Sequence, residues 1–92
     1  MNYYKRHWDK TTGEQLTDSW GTSTYYFEID QGGFVLRQIQ VFENGKGLKY
    51  SSEFTQDDYG FLSDQPLDLD ELTPFKIDKV KFDEAWAKVY KK

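Results

Sequence analysis

From Thr22 to Ser52 three runs rich in aromatic and β-branched residues are separated by glycine-containing breaks, with apolar residues on both period-two faces. Such runs bounded by turn formers read as antiparallel β-strands. The second break, Asn44-Gly45, predicts a two-residue type I′ turn, in which both central residues take positive φ. Such a turn sets Glu43 opposite Lys46, Val41 opposite Leu48 and Ile39 opposite Tyr50. For the first break, a loop of Gln31, Gly32 and Gly33 with one left-handed glycine pairs Ile29 with Val35 and Tyr25 with Ile39. A two-residue loop would move Tyr25, Phe27 and Ile29 to the opposite face. The longer loop is preferred because it extends a single apolar face: Tyr25, Phe27, Ile29, Val35, Ile39, Val41, Leu48 and Tyr50, interrupted by Arg37. The other face mixes Tyr26, Phe34, Leu36 and Phe42 with polar residues and is apolar enough to need a cover.

After Asp78 the period becomes helical. Phe82, Ala85, Trp86, Val89 and Tyr90 recur at i, i+3, i+4, i+7 and i+8, one stripe of a helix over about 79–91. Asp78 is placed to cap its N-terminus, and Lys88, Lys91 and Lys92 sit where the macrodipole favours cations. Near the N-terminus, residues 2–9 alternate without a cleanly apolar side, the pattern of a charged edge strand. Residues 10–21 are rich in turn formers and read as a loop, in which Trp20 stands out as a cap on the core or an exposed anchor. The stretch 54–75 keeps neither period, with a helical turn suggested near Leu69 to Leu72 and an extended Thr73 ahead of Pro74. A helix with one apolar stripe must bury it, and the sheet is the large apolar surface on offer. The expected fold is therefore α+β: one domain over 1–92, with an antiparallel sheet of about four strands (2–9, 22–30, 34–43, 46–53) and a C-terminal helix across one face.

Composition narrows the chemistry. Seven Phe, seven Tyr and three Trp allow a small chain to build an adequate core. The absence of Cys removes disulfides, thiolate metal sites and a Cys nucleophile. No run is apolar enough to span a membrane, and no signal-peptide core opens the chain, so a cytoplasmic location is expected. The net charge of −4 is segregated: Ser51 to Phe75 holds Glu53, Asp57, Asp58, Asp64, Asp68, Asp70 and Glu71 with no Lys or Arg. Such a stretch argues against nucleic acid and suits a basic protein surface; its plain alternative is a solubilising loop. Asp57, Asp58, Tyr59, Phe61, Asp64 and Trp20 are the candidate partner-binding residues.

No catalytic signature stands out. His7 is the lone histidine, and G-x-S-x-G, P-loop and H-E-x-x-H motifs are missing. Asp68-Leu69-Asp70-Glu71 lacks the alternate acids, central Gly and distal Glu of a calcium loop. No metal or cofactor is expected, and an enzymatic role is disfavoured. Arg37, on the apolar face opposite Phe27 in this register, must find a carboxylate or water. A salt bridge to the helix or the acidic segment is the structural reading; a ligand pocket around Arg37 is the alternative.

The order of these features resembles a family of uncharacterised bacterial domains of about this length. The likeness lies in the aromatic first strand Tyr3 to Trp8, then Tyr-Phe-Glu-Ile-Asp, Leu-Arg-Gln-Ile-Gln-Val-Phe-Glu-Asn-Gly and Phe-Lys-Ile-Asp ahead of Phe-Asp-Glu-Ala-Trp. These motifs are structural and carry no catalytic residue. Small acidic domains of this type are similar to immunity proteins of bacterial toxin systems. The resemblance implies a protein-binding role, such as inhibition of a basic toxin.

Overall fold

The computed structural model describes residues 1–89. Five antiparallel strands form one sheet: β1 (Asn2–Trp8), β2 (Ser23–Ile29), β3 (Val35–Phe42), β4 (Gly47–Ser51) and β5 (Lys76–Ile77), in the order β4-β3-β2-β1-β5. Among the described residues two α-helices, α1 (Leu69–Leu72) and α2 (Lys79–Lys88), and two 3-10 turns, Asp18–Trp20 and Thr73–Phe75, complete the fold. The expected α+β class and C-terminal helix are present, with one strand more than expected. The added strand is β5, which pairs Ile77 with Tyr3 and Lys76 with Tyr4. It makes β1 an inner strand instead of the expected edge.

The hairpin β3–β4 departs from the type I′ expectation. Among the described residues only glycines have positive φ, so Asn44 does not adopt the left-handed conformation that type I′ requires. The loop instead spans Glu43, Asn44 and Gly45, with Gly45 alone at φ +90 and the Phe42 N–H donating to the Lys46 carbonyl at 2.9 Å. The Asn44 side chain accepts from the Lys46 N–H at 2.9 Å, a local bond that favours this turn. One extra loop residue shifts the register by one, so Gln40 faces Leu48 and Gln38 faces Tyr50. Leu48 and Tyr50 thereby leave the face that holds Ile39 and Val41.

The loop between β2 and β3 is the expected three-residue one, with Gly33 at φ +88 and Ile29 opposite Val35. A bulge follows immediately. Glu28 pairs with Arg37 and Ile29 with Val35, so Leu36 is an extra residue on β3. The pairing beyond it shifts: Tyr26 faces Ile39 and Tyr25 faces Gln40. Arg37 consequently lies opposite Glu28, not Phe27.

These two shifts divide the apolar residues between two faces. On one, Ile39, Tyr26 and Val41 join Tyr3 beneath α2, whose Phe82 is fully buried and whose Ala85 and Trp86 pack at the margin. On the other, Tyr4, Ile29, Val35 and Leu72 form one cluster, and Trp20, Phe42, Leu48 and Tyr50 a second. The acidic segment covers this second face. Asp78 caps α2 as expected, accepting from the Lys81 N–H at 2.8 Å. The helix ends three residues before the expected 91, with Val89 extended at its C-cap; Tyr90, Lys91 and Lys92 lie outside the described residues. Helix α1 occupies the expected turn, its N-terminus capped by Asp68. Thr73 is helical (φ −48, ψ −44), not extended, although Pro74 follows it. Its hydroxyl donates to the Leu69 carbonyl at 3.0 Å, a bond that offsets the steric bias before proline.

Candidate functional site

The acidic segment is assembled from the sheet outward. Tyr50, buried on β4, donates its hydroxyl to Asp57 Oδ1 at 2.8 Å. The same oxygen accepts from the N–H groups of Tyr59 (2.9 Å) and Gly60 (3.1 Å), which closes a tight loop. Burial and the Asp57 carboxylate both hold the Tyr50 phenol well above its ordinary pKa, so it stays a donor. Next, Gln38 reaches up from the buried surface of β3. Its Nε2 donates to the Phe61 carbonyl at 3.1 Å, and its Oε1 accepts from the Ser63 N–H at 3.0 Å. Further on, the Leu67 N–H donates to the Gly33 carbonyl at 2.8 Å. A Cβ at Gly33 would stand 2.7 Å from the Leu67 carbonyl oxygen, so glycine serves both the turn and this close approach.

The expected partner-binding residues therefore have different positions. Trp20 is buried, edge-on to Phe42 (5.1 Å between centroids) and beside Tyr59 (5.3 Å). It caps the core, and Tyr59 packs there with it. Asp57 organises its loop. Asp58 and Asp64 are exposed, and Phe61 is 61% exposed on the backbone that Gln38 grips. Among the described residues none of the seven acids from Glu53 to Glu71 forms an ion pair.

Beside this segment lies a cleft of about 150 Å³, lined by Trp8, Tyr25, Phe27, Arg6, Glu71 and Leu72, among others. Tyr25 and Phe27 stack at 5.5 Å, and Arg6 lies over both Trp8 (6.0 Å) and Phe75 (5.3 Å). Trp8 and Phe75, the two rings beneath Arg6, are both exposed. The cleft went unrecognised from sequence because the expected register put Tyr25 and Phe27 on the main apolar face with Ile39 and Val41. The period-two set Tyr4, Arg6 and Trp8 on one side of β1 was its one available signal.

Arg37 sits on the other face. Its Nε lies 2.8 Å from Glu28 Oε1, and its Nη2 3.2 Å from Asp83 Oδ1 on α2. The guanidinium covers the rings of Phe82 (4.8 Å) and Trp86 (5.0 Å). Arg37 draws the Glu28 carboxyl below the usual glutamate range, and Lys79 foremost, then Arg37, lowers Asp83. These contacts join sheet to helix and use the side chain's charge and its plane. Arg37 does not line the large groove on that face.

That groove, of about 1150 Å³, opens between α2, β5 and the β3–β4 turn. Tyr26, Val41, Ile77, Ala85 and Val89 form its apolar floor. Lysines from four elements line its rim.

The chain matches no protein-family model, no curated protein and no solved structure. Among the described residues, no three His, Asp or Glu side chains converge as metal ligands, and no helix is long and apolar enough to cross a membrane.

Proposed function

We propose that this chain is a protein-binding domain that docks its acidic face onto a basic partner, in the manner of an immunity protein inhibiting a basic toxin. The observation that supports this reading is Phe61. A large aromatic stands exposed on backbone clamped to the sheet by Gln38, with Asp58 and Asp64 beside it in sequence. A pinned aromatic loses little conformational entropy on binding and serves as an anchor. Surrounding carboxylates without internal partners speed encounter with a cationic surface.

A photo-crosslinking amino acid at position 61, with one at Val80 as control, tests the reading in the native host. The expected product is a basic protein captured from position 61 and not from position 80. Glu53→Gln/Asp58→Asn/Asp64→Asn should then slow its association about tenfold at low salt, and Phe61→Ala should raise its off-rate. An association rate that neutralisation leaves unchanged would reduce the segment to a solubilising cover.

A further inference from the structure

The groove under α2 carries the charge opposite to the rest of the molecule. The chain's net charge is −4, yet Lys5, Lys46, Lys76, Lys81 and Lys88 line this concavity against two acids, Asp78 and Glu84. Asp78 is committed to capping α2. Lys46 places its ammonium over the Trp20 ring at 4.8 Å. Four exposed lysines remain, on β1, β5 and α2, and none of them forms a salt bridge among the described residues. Lys5 lies over Tyr26, part of the floor, at 5.6 Å.

Lysines of one sign around an apolar floor recognise a ligand with an apolar centre and anionic groups on several sides. We propose that this groove docks an acidic peptide segment of a partner protein, one that inserts an apolar side chain between Val41, Ile77 and Ala85 and sets its carboxylates against Lys5, Lys76, Lys81 and Lys88. Three observations favour a peptide over a single-headed amphiphile. The amines come from three separate elements, so one headgroup reaches only some of them. The groove, about 1150 Å³, exceeds the size of usual small-molecule pockets. It is also an open trough along a helix, the shape that peptide-binding grooves take. The site lies on the sheet face opposite the acidic segment and does not depend on that segment's role.

The probe is a short synthetic peptide alternating Glu with Leu, titrated into the labelled full chain and followed by amide chemical shifts. Shifts are expected at Tyr26, Val41, Ile77, Ala85 and Val89, with affinity falling about tenfold between low and high salt. Lys81→Glu/Lys88→Glu should weaken binding at least about tenfold. Both lysines are exposed on α2, and an unchanged melting curve would show that the variant folds. Ala85→Trp, which fills the floor, should abolish binding while leaving the lysines in place. The proposal is overturned if a peptide with Gln in place of Glu binds equally well, or if floor amides do not shift. Decanoate competing at equal concentration would assign the groove to a small amphiphile and overturn the peptide assignment. None of these variants touches Phe61 or the acidic segment, so the two readings fail separately.

Discussion

Gln38 and Phe61 are bound across 23 residues of sequence: the buried amide of Gln38 donates to the Phe61 carbonyl at 3.1 Å. With its acceptor oxygen on the Ser63 N–H, one glutamine satisfies two backbone groups of the acidic segment. Gln38→Leu should cost about 2 kcal/mol, because both backbone groups lose a partner in a partly buried setting. Urea denaturation measures this, and amide exchange at Ser63 should accelerate. A loss under about 0.5 kcal/mol with unchanged exchange would show that the segment is held elsewhere.

The carboxylates of the segment should divide into two classes. Asp57 accepts from Tyr50, Tyr59 and Gly60, so Asp57→Ala should destabilise by about 1–3 kcal/mol. Asp58→Ala should fall within about 0.5 kcal/mol of the parent, as exposed charges without partners do. Equal effects in thermal melts would contradict the loop geometry.

In the core beneath α2, Phe82 is fully buried whereas Trp86 is only partly so, with Arg37 over its ring at 5.0 Å and Lys49 at 4.6 Å. The apolar stripe alone suggests that Trp86 dominates. Burial reverses the order: Phe82→Ala should cost about 3–5 kcal/mol and Trp86→Ala roughly half of that. Chemical denaturation of the two variants side by side settles the ranking.

Glu28 and Arg37 set a pH dependence. The folded carboxyl titrates below its unfolded value, so its contribution is complete above the unfolded pKa. It disappears as pH falls through the lowered folded pKa. The stability gap between the parent and Glu28→Gln should therefore narrow on acidification and be constant near neutrality. Arg37→Met keeps the stem over Phe82 but leaves Glu28 without its cation, with the Tyr3 hydroxyl as remaining partner; adding Glu28→Gln should restore about 1 kcal/mol, reduced from the fully buried case by partial solvent access. A gap that widens towards low pH would contradict this assignment.

Much of the fold was legible locally. The helical stripe from Phe82, the Asp78 cap, the strand-forming runs from Thr22 to Ser52 and the turn glycines each depend on neighbours within a few residues. So did the acidic run, whose charge needs no tertiary information. The partition of residues between the sheet faces was not legible. It rests on the Leu36 bulge and on one additional residue in the Asn44-Gly45 loop. Each shifts the pairing by a single position, which transfers alternate side chains to the other side of the sheet. The local cost of either choice is small. What decides is distant packing: α2 needs Ile39 and Val41 beneath Phe82, while Trp20 and the acidic segment need Phe42, Leu48 and Tyr50. The same division brings Arg37 opposite Glu28, leaves Gln38 free to hold Phe61, and opens a lysine-lined groove on one face and an acidic surface on the other.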